Sequence, residues 1–317
     1  MTAVAERPRL VGVWWRAIRP ATLTAAVGPV AVGTALAFRD EAAAPLAALA
    51  ALGGAMGIQI GTNLFNDYAD FQKGADTEAR LGPARAMQKG WLDARQVLLG
   101  TAASFALATA FGIYLVATAG WPIVVLGLVS IACGILYTGG PAPLAYVGLG
   151  DLFVMAFFGV AAVGGTYFVQ AGAVTADVLL ASVAVGAHAT AILVVNNLRD
   201  RHTDRDAGKR TLVVRFGERF GRVEYALMVV VPYVIAGIGF VRAGANTAAL
   251  GWLAPWVTLP LAAGVLRRVW RGDGATLNPE LGATGRLGLL FCLAWAWGIA
   301  TLGGAGLGGV ALEGVGA

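Results

Sequence analysis

Two short stretches of the sequence place carboxylate and amide side chains at helical spacing. The first contains Asn63, Asn66, Asp67 and Asp70 at positions i, i+3, i+4 and i+7. In a helix, these four side chains project from one face. Carboxylate and amide oxygens without a neighbouring His or Cys form an oxygen-only donor set, which suits Mg²⁺. The stretch is therefore a candidate half of a magnesium site.

The second stretch repeats this pattern further along the chain. Asn196, Asp200 and Asp204 fall at i, i+4 and i+8, and Asn197 lies beside the first of them. The shared Asn-x-x-x-Asp pattern indicates a weak internal repeat with one acidic stripe in each half. Acidic residues at a helix end are often simply solvated, but these two stripes both enter apolar segments, where ionisable groups are costly and usually functional.

Four carboxylates cannot face one another without cations to neutralise them. We therefore predict that the stripes face each other across a site with two Mg²⁺ ions, for which Mn²⁺ could substitute. The expected metal ligands are Asn66, Asp67 and Asp70 for one ion, and Asp200 and Asp204 for the other.

Basic residues alternate with both acidic stripes. They are Lys73, Arg85, Arg201, Lys209 and Arg210. Acidic and basic groups together indicate a polyanion bridged by metal, such as a phosphate or diphosphate ester. A basic cluster beside a membrane can also be an anchor to anionic lipid. The sequence contains no Gly-x-x-x-x-Gly-Lys-[Ser/Thr] loop, so nucleotide hydrolysis is not favoured.

The elements that must position these residues are membrane helices. Of the 317 residues, 58% are hydrophobic and only 13% are charged, with a mean hydropathy of +0.72. This composition excludes a soluble domain and a nucleic-acid-binding protein. Nine apolar blocks are long enough to cross a bilayer. We predict one all-α domain over 1–317, a polytopic bundle with spans at 22–38, 43–62, 97–118, 121–138, 149–170, 177–198, 223–241, 248–266 and 287–306.

The charges predict how this bundle is oriented. Nearly all of the 23 Lys and Arg residues lie on one side of the predicted spans, which leaves only Arg39 and Arg242 for the other side. By the positive-inside rule, the N-terminal segment 1–21 and the cap loops 63–96 and 197–222 are cytoplasmic. The C-terminus, with a flexible tail at 307–317, is then outside. We expect a plasma-membrane protein with its active site at the cytoplasmic face.

Four more residues are candidates for contact with substrate. Asp151, with Tyr146 beside it, either orients the second substrate or pairs with a loop Arg. Arg19 either meets a substrate carboxylate or extends to the lipid headgroups. His188, deep in the sixth span, is either a hydrogen-bonded core residue or a proton-transfer group.

Three glycines lie on one face of the second span, at four-residue spacing. Gly53, Gly57 and Gly61 are expected to let a neighbouring helix approach the first stripe closely.

The chain resembles the UbiA superfamily of intramembrane aromatic prenyltransferases. Asn66-Asp67-x-x-Asp70 and Asp200-x-x-x-Asp204 are similar to its paired motifs, and nine spans fit its fold. Longer segments are most like the 1,4-dihydroxy-2-naphthoate polyprenyltransferases of menaquinone synthesis. These segments are 19–23 (RPATL), 29–35 (PVAVGTA), 66–70 with 81–85 (NDYAD, LGPAR), 146–151 through 165–167 (YVGLGD, GTY), and 196–200 through 208–212 (NNLRD, GKRTL).

The resemblance implies a reaction and its partners. A polyprenyl diphosphate would ionise in the bilayer, 1,4-dihydroxy-2-naphthoate would attack the allyl cation, and CO₂ and diphosphate would leave, giving demethylmenaquinone. Another aromatic acceptor such as 4-hydroxybenzoate, a CDP-alcohol phosphotransferase and a cation transporter are the alternatives. Many relatives carry a third Asp where this chain has Gly74. Asp76, two residues further on, is therefore not counted among the metal ligands.

Overall fold

The computed structural model describes residues 9–74 and 81–302, and these form a bundle of helices. Asp76 and the predicted flexible tail 307–317 lie outside the described residues. The α-helices are α1 Leu10–Ile18, α2 Pro20–Arg39, α3 Pro45–Gln72, α4 Ala94–Ala119, α5 Pro122–Leu136, α6 Gly150–Val154, α7 Gly165–Ala171, α8 Ala176–Asp206, α9 Leu212–Phe216, α10 Glu218–Arg242, α11 Leu259–Arg271 and α12 Asn278–Leu302. A π-helical stretch, Met155–Gly164, joins α6 to α7, and the 3₁₀ helices Ala248–Thr258 and Gly274–Leu277 precede α11 and α12.

Eight helical segments of the described chain are long and apolar enough to cross a membrane, so this is a multi-pass integral membrane protein. They confirm the predicted all-α membrane bundle. The fourth predicted span, 121–138, forms the shorter helix α5 of 15 residues. Such a helix is about 22 Å long, against a hydrocarbon core of about 30 Å. It begins at Pro122 and ends at Leu136, ahead of Gly139 and Gly140. The backbone φ of Gly140, 77°, does not fit a helix.

The helices that carry the acidic stripes extend well beyond the predicted span ends. Helix α3 continues to Gln72 and α8 to Asp206, so much of the predicted cap loops 63–96 and 197–222 is helical. Each helix ends just before a glycine with positive φ, Gly74 at 66° and Gly208 at 75°. Neither helix meets a proline or a glycine between its stripe and that point. Both acidic stripes consequently lie on continuous helix, as the residue spacing predicts.

Close packing of α4 against α3 holds the first stripe in place. A Cβ atom built on Gly53 or Gly61 would lie within 2.5 Å of the ring of Phe111 or Phe105, and one on Gly57 would lie 2.9 Å from the Cβ atom of Ala108. The predicted role of this glycine face in helix approach is confirmed. Helix α8, which carries the second stripe, is the most buried span among the described residues, since 72% of its apolar segment is buried inside the protein.

Candidate active site

One cavity of about 690 Å³ collects most of the predicted site residues. Its wall is apolar along α4, α5 and the π-helical stretch, where Ile113, Val124 and Phe157 line it. Its other end is polar. That end is lined by Arg19, Asn63, Asn66, Asp70, Arg85, Asp151, Asn196, Asn197, Asp200, Asp204 and Lys209.

Asp67 and Asp70 on α3 share one cation. The Arg85 Nη2 atom lies 2.9 Å from Asp70 Oδ2, and its Nη1 atom lies 3.7 Å from Asp67 Oδ1. Tyr146 donates its phenolic hydrogen to Asp70 Oδ1 at 2.9 Å. Both carboxylate oxygens of Asp67 are buried and have no hydrogen-bond partner in the described part of the chain. A buried carboxylate with open oxygens has coordination capacity to offer a cation.

The amide residues of the first stripe fix α3 to its neighbours. Asn63 Nδ2 donates to the Ile18 carbonyl and to Thr22 Oγ1, both at 2.9 Å, and so attaches α3 to the α1–α2 junction. Asn66 Oδ1 accepts a hydrogen bond from Thr138 Oγ1 at 2.7 Å. As a metal ligand, Asn66 would have to use the remaining lone pair of that oxygen.

The second stripe pairs with cations of its own segment. Lys209 Nζ lies 3.3 Å from Asp204 Oδ1. Asp200 receives Arg199 Nε on its Oδ1 atom at 2.7 Å, and Arg199 also donates to Asn196 Oδ1 at 2.8 Å. From the sequence, Arg199 is predicted only to be one of the many cytoplasmic charges. Its position between the Asn and Asp of the stripe was the available signal.

Tyr146 connects the two stripes, although it does not line the cavity. Its hydroxyl binds Asp70, while Lys73 Nζ and Lys209 Nζ lie 4.9 and 5.1 Å from its ring centroid. Lys73 also donates to the Thr138 carbonyl at 2.6 Å. Burial and the charge of Lys209 lower the pKa of Lys73 against the opposing effect of Asp70. The stripes are therefore bridged by cations and one aromatic ring.

Six predicted residues do not line the cavity. Asp67, Lys73 and Tyr146 contact residues that do, namely Arg85, Thr138 and Asp70. The other three are Arg201, Arg210 and His188. Arg201 forms ion pairs with Asp273 and with Glu218, and its hydrogen bond lowers the pKa of Asp273. The side chain of Arg210 is exposed. His188 is buried in the core 4.5 Å from the ring of Phe291, and neither of its ring nitrogens has a hydrogen-bond partner among the described residues. The structure thus places Arg201, Arg210 and His188 outside the cavity that most of the predicted substrate contacts line.

In contrast to Arg201, Arg210 and His188, the predicted residues Asp151 and Arg19 both line the cavity. Asp151 is 6% exposed, its Oδ1 atom is buried without a hydrogen-bond partner, and no ion pair to it occurs in the described residues. It therefore has an acceptor oxygen available to a hydroxyl donor. Within 9–74 and 81–302, the alternative of pairing with a loop Arg is not seen. Arg19 lies at the α1–α2 junction with a backbone φ of 55°.

The carboxylates of the two stripes fit metal ions that are held partly by the protein and partly by a bound phosphate or diphosphate. Within 9–74 and 81–302, no group of three or more His, Cys, Asp or Glu residues could hold an ion on its own. Mg²⁺ is usually bound by one or two carboxylates, with substrate phosphates and water completing its octahedron. Two features match that demand. The Asp67 oxygens accept no hydrogen bond from the described residues, and Asp70, Asp200 and Asp204 line the cavity.

Several bacterial proteins of similar sequence carry the same name. The chain is 38% identical to the 1,4-dihydroxy-2-naphthoate octaprenyltransferase of Escherichia coli (strain K12), over 90% of this chain and 94% of that protein. It is 37% identical to the protein of that name from Mycobacterium tuberculosis, over 90% and 96% of the two chains. Both alignments include the two acidic stripes within nearly full-length coverage.

Solved structures show the same fold. A UbiA homolog from Archaeoglobus fulgidus, bound to DMAPP and Mg²⁺, superposes with a TM-score of 0.63 at 17% identity, over 91% of this chain and 99% of that one. The apo UbiA homolog from Aeropyrum pernix gives 0.66 at 17% identity, over 89% and 97%. The model of the UbiA prenyltransferase family matches residues 26–279. The chain therefore belongs to the UbiA prenyltransferase family.

Proposed function

We propose that this protein transfers a polyprenyl group from a polyprenyl diphosphate to 1,4-dihydroxy-2-naphthoate, with loss of diphosphate and CO₂, to give demethylmenaquinol, the hydroquinone that yields demethylmenaquinone on later oxidation. The observation that carries the proposal is the single cavity with two acidic, cation-bridged stripes at one end and apolar walls at the other. The names of the similar bacterial proteins support the naphthoate acceptor.

The polar end provides the groups that a diphosphate requires. When bound, Mg²⁺ would neutralise the diphosphate and make it a better leaving group. Asp67, Asp70, Asp200 and Asp204 are the residues that would hold the metal. Lys209 and Arg85 line the same end and offer N–H donors to the charge that develops on the departing oxygens. Carboxylates and cations together therefore bind the head of the donor and stabilise its departure.

The apolar wall serves the rest of the donor. Side chains such as Ile113, Val124 and Phe157 would surround the isoprenoid tail and exclude water from the allylic carbon. Exclusion of water matters because an allyl cation in contact with water would be hydrolysed rather than transferred. The arrangement favours an acceptor that enters between the polar end and the tail.

Two residues could receive the acceptor. The Asp151 carboxylate can accept a hydrogen bond from a ring hydroxyl, and the Arg19 guanidinium can pair with the ring carboxylate. A hydroxyl hydrogen-bonded to a carboxylate makes the ring more electron-rich, which favours attack on C1 of the prenyl group. The ring carboxylate then leaves as CO₂, and its electron pair restores the aromatic ring.

Product analysis tests the reaction. Purified protein is incubated with Mg²⁺, farnesyl or geranylgeranyl diphosphate, and separately with 1,4-dihydroxy-2-naphthoate and 4-hydroxybenzoate. We expect a prenylated product of the naphthoate that lacks the carboxylate mass, detected by mass spectrometry. If only 4-hydroxybenzoate gave a product, prenyl transfer would stand as the reaction, but the naphthoate would be wrong as the acceptor.

Neutralising Lys209 should weaken donor binding, whereas neutralising its neighbour should not. Lys209 lines the cavity 3.3 Å from Asp204, while the side chain of Arg210 is exposed. We expect Lys209→Gln to raise the donor KM by about tenfold, the effect of losing one charge-assisted contact, with the acceptor KM little changed. Arg210→Gln is the matched control. Equal effects of both variants on donor KM would exclude a specific role for Lys209.

The charge distribution supports an inner-face location for the active site. We propose that the N-terminus and the segment after α8 are cytoplasmic. In a variant without Cys133 and Cys292, Ala207→Cys should react with an impermeant thiol reagent in inverted vesicles but not in intact cells. Ala243 follows the C-terminal end of α10, which crosses the membrane after the segment that contains Ala207. Ala243→Cys should therefore show the opposite pattern. Labelling of Ala207→Cys from outside would invert the proposed topology.

A further inference from the structure

Arg199 is a buried cation that the proposed chemistry does not use. It is 1% exposed and does not line the cavity, so it is not placed to touch the donor. A buried charge is expensive unless all of its partners are present. The partners of Arg199 are therefore informative about what the residue does.

On α8, the guanidinium fixes the orientation of the second stripe. Nε donates to Asp200 Oδ1 at 2.7 Å, Nη2 reaches Asp200 Oδ2, and Nη2 also donates to Asn196 Oδ1 at 2.8 Å. The two carboxylate contacts form a fork that fixes the plane of the carboxylate as well as its position. A lysine could supply the charge but not this geometry.

The other side of the guanidinium reaches the loop that serves the first stripe. Nη1 donates to Asn278 Oδ1 at 3.2 Å, and Asn278 Nδ2 donates to the Leu81 carbonyl at 2.8 Å. A Cβ atom on Gly82 would lie 2.8 Å from Nη2, so the backbone of the loop lies against the guanidinium. Three residues further on, Arg85 contacts Asp67 and Asp70.

A continuous set of contacts thus runs from Asp200 through Arg199 and Asn278 to the 81–85 loop, and through Arg85 to the first stripe. The two stripes lie on different helices and must bind one diphosphate between them. We propose that Arg199 is a positioning residue that holds the two stripes in register, so that both engage the same diphosphate. This inference rests on the proposed function.

Binding of inorganic diphosphate tests the inference without turnover. Wild type, Arg199→Lys, Asn278→Ala and the double variant are titrated by calorimetry with diphosphate at saturating Mg²⁺. We expect affinity about tenfold lower for Arg199→Lys and a few-fold lower for Asn278→Ala. Because both residues act through one connection, the double variant should be no weaker than Arg199→Lys alone. In turnover assays, donor KM should rise while acceptor KM stays constant.

Two further variants separate positioning from general stability. Gly82→Ala leaves every charge in place, but its Cβ atom would lie 2.8 Å from Arg199 Nη2 and force the 81–85 loop and the Arg199 guanidinium apart. This variant should also weaken diphosphate binding. Arg222→Lys is the matched control. Arg222 is a partly buried arginine that binds Glu218 and the carbonyls of Val269 and Gly272, away from the cavity, and its variant should bind diphosphate as wild type does.

Each other outcome overturns the inference. Wild-type affinity in Arg199→Lys and Gly82→Ala would show that register does not depend on this connection. Additive losses in the double variant would show that Arg199 and Asn278 act independently. If wild type itself binds no diphosphate with Mg²⁺, the proposed donor site fails, and the role of Arg199 fails with it.

Discussion

Asp67→Asn and Asp204→Asn should each lower turnover by at least about 10²-fold, the loss typical of one strong electrostatic group in an active site. The substitution keeps the side-chain shape but removes a negative charge from one stripe. A metal held by that stripe would lose a charged ligand, and the diphosphate would then leave with its charge less fully neutralised. The measurement is kcat for the purified protein at saturating donor, acceptor and Mg²⁺.

The matched control for these variants lies on the same helix. Asp206 is exposed, follows Asp204 by two residues and does not line the cavity. Asp206→Asn should retain kcat within about twofold, as expected for a surface charge in water. Wild-type turnover in both Asp67→Asn and Asp204→Asn would remove the acidic stripes from the reaction.

The two variants should stay folded, which keeps the kinetic comparison valid. The Asp67 oxygens have no hydrogen-bond partner among the described residues, and Arg85 retains its 2.9 Å contact with Asp70 when Asp67 is neutralised. Removing one charge from an acidic cluster also relieves repulsion in the metal-free protein. Thermal unfolding of the detergent-solubilised variants should show Tm values close to wild type.

Hydropathy and residue spacing were sufficient for the bundle because both are local properties. Twenty-residue apolar blocks define spans, and the glycines of α3 mark the face where α4 approaches. The length of α5 was overestimated because the apolar block includes Trp121, ahead of the first helical residue Pro122, and continues through Tyr137, after the last helical residue Leu136. The reach of α3 and α8 beyond the apolar blocks depended on where Gly74 and Gly208 interrupt the helix, which hydropathy does not show.

Spacing placed the acidic residues on one helix face but could not name their distant partners. Arg201 follows the second stripe, yet it pairs with Asp273, 72 residues further along the chain. Arg85 and Tyr146 reach Asp70 from separate loops, 15 and 76 residues away in sequence. These contacts depend on how the helices pack, because a helical repeat specifies a face and not what lies opposite it.

The structure also bears on the alternatives that the sequence left open. A cation transporter predicts broken helices that form its site near the bilayer midplane. Here α3 and α8 are continuous through their acidic stripes, and the stripes lie near the helix ends. Membership of the UbiA prenyltransferase family is likewise inconsistent with a CDP-alcohol phosphotransferase.

Removal of divalent metal should abolish activity altogether. Within the described chain, no cluster of three or more His, Cys, Asp or Glu residues could hold an ion unaided, so we expect weakly held metal that excess EDTA removes. Activity should return when Mg²⁺ or Mn²⁺ is added beyond the chelator, since both accept oxygen ligands in octahedral geometry. The measurement is prenylated product formed by one preparation before chelation, after chelation and after each addition.

Ca²⁺ provides the discriminating control for that experiment. It also binds oxygen ligands, but at 2.3–2.6 Å and in larger, flexible shells, whereas Mg²⁺ requires a compact octahedron at about 2.0–2.1 Å. If the carboxylate pairs must draw the diphosphate into such an octahedron, Ca²⁺ should restore donor binding without restoring full turnover. Unchanged turnover in excess EDTA would contradict the metal-assisted site, because Arg85 and Lys209 alone would then neutralise the leaving diphosphate.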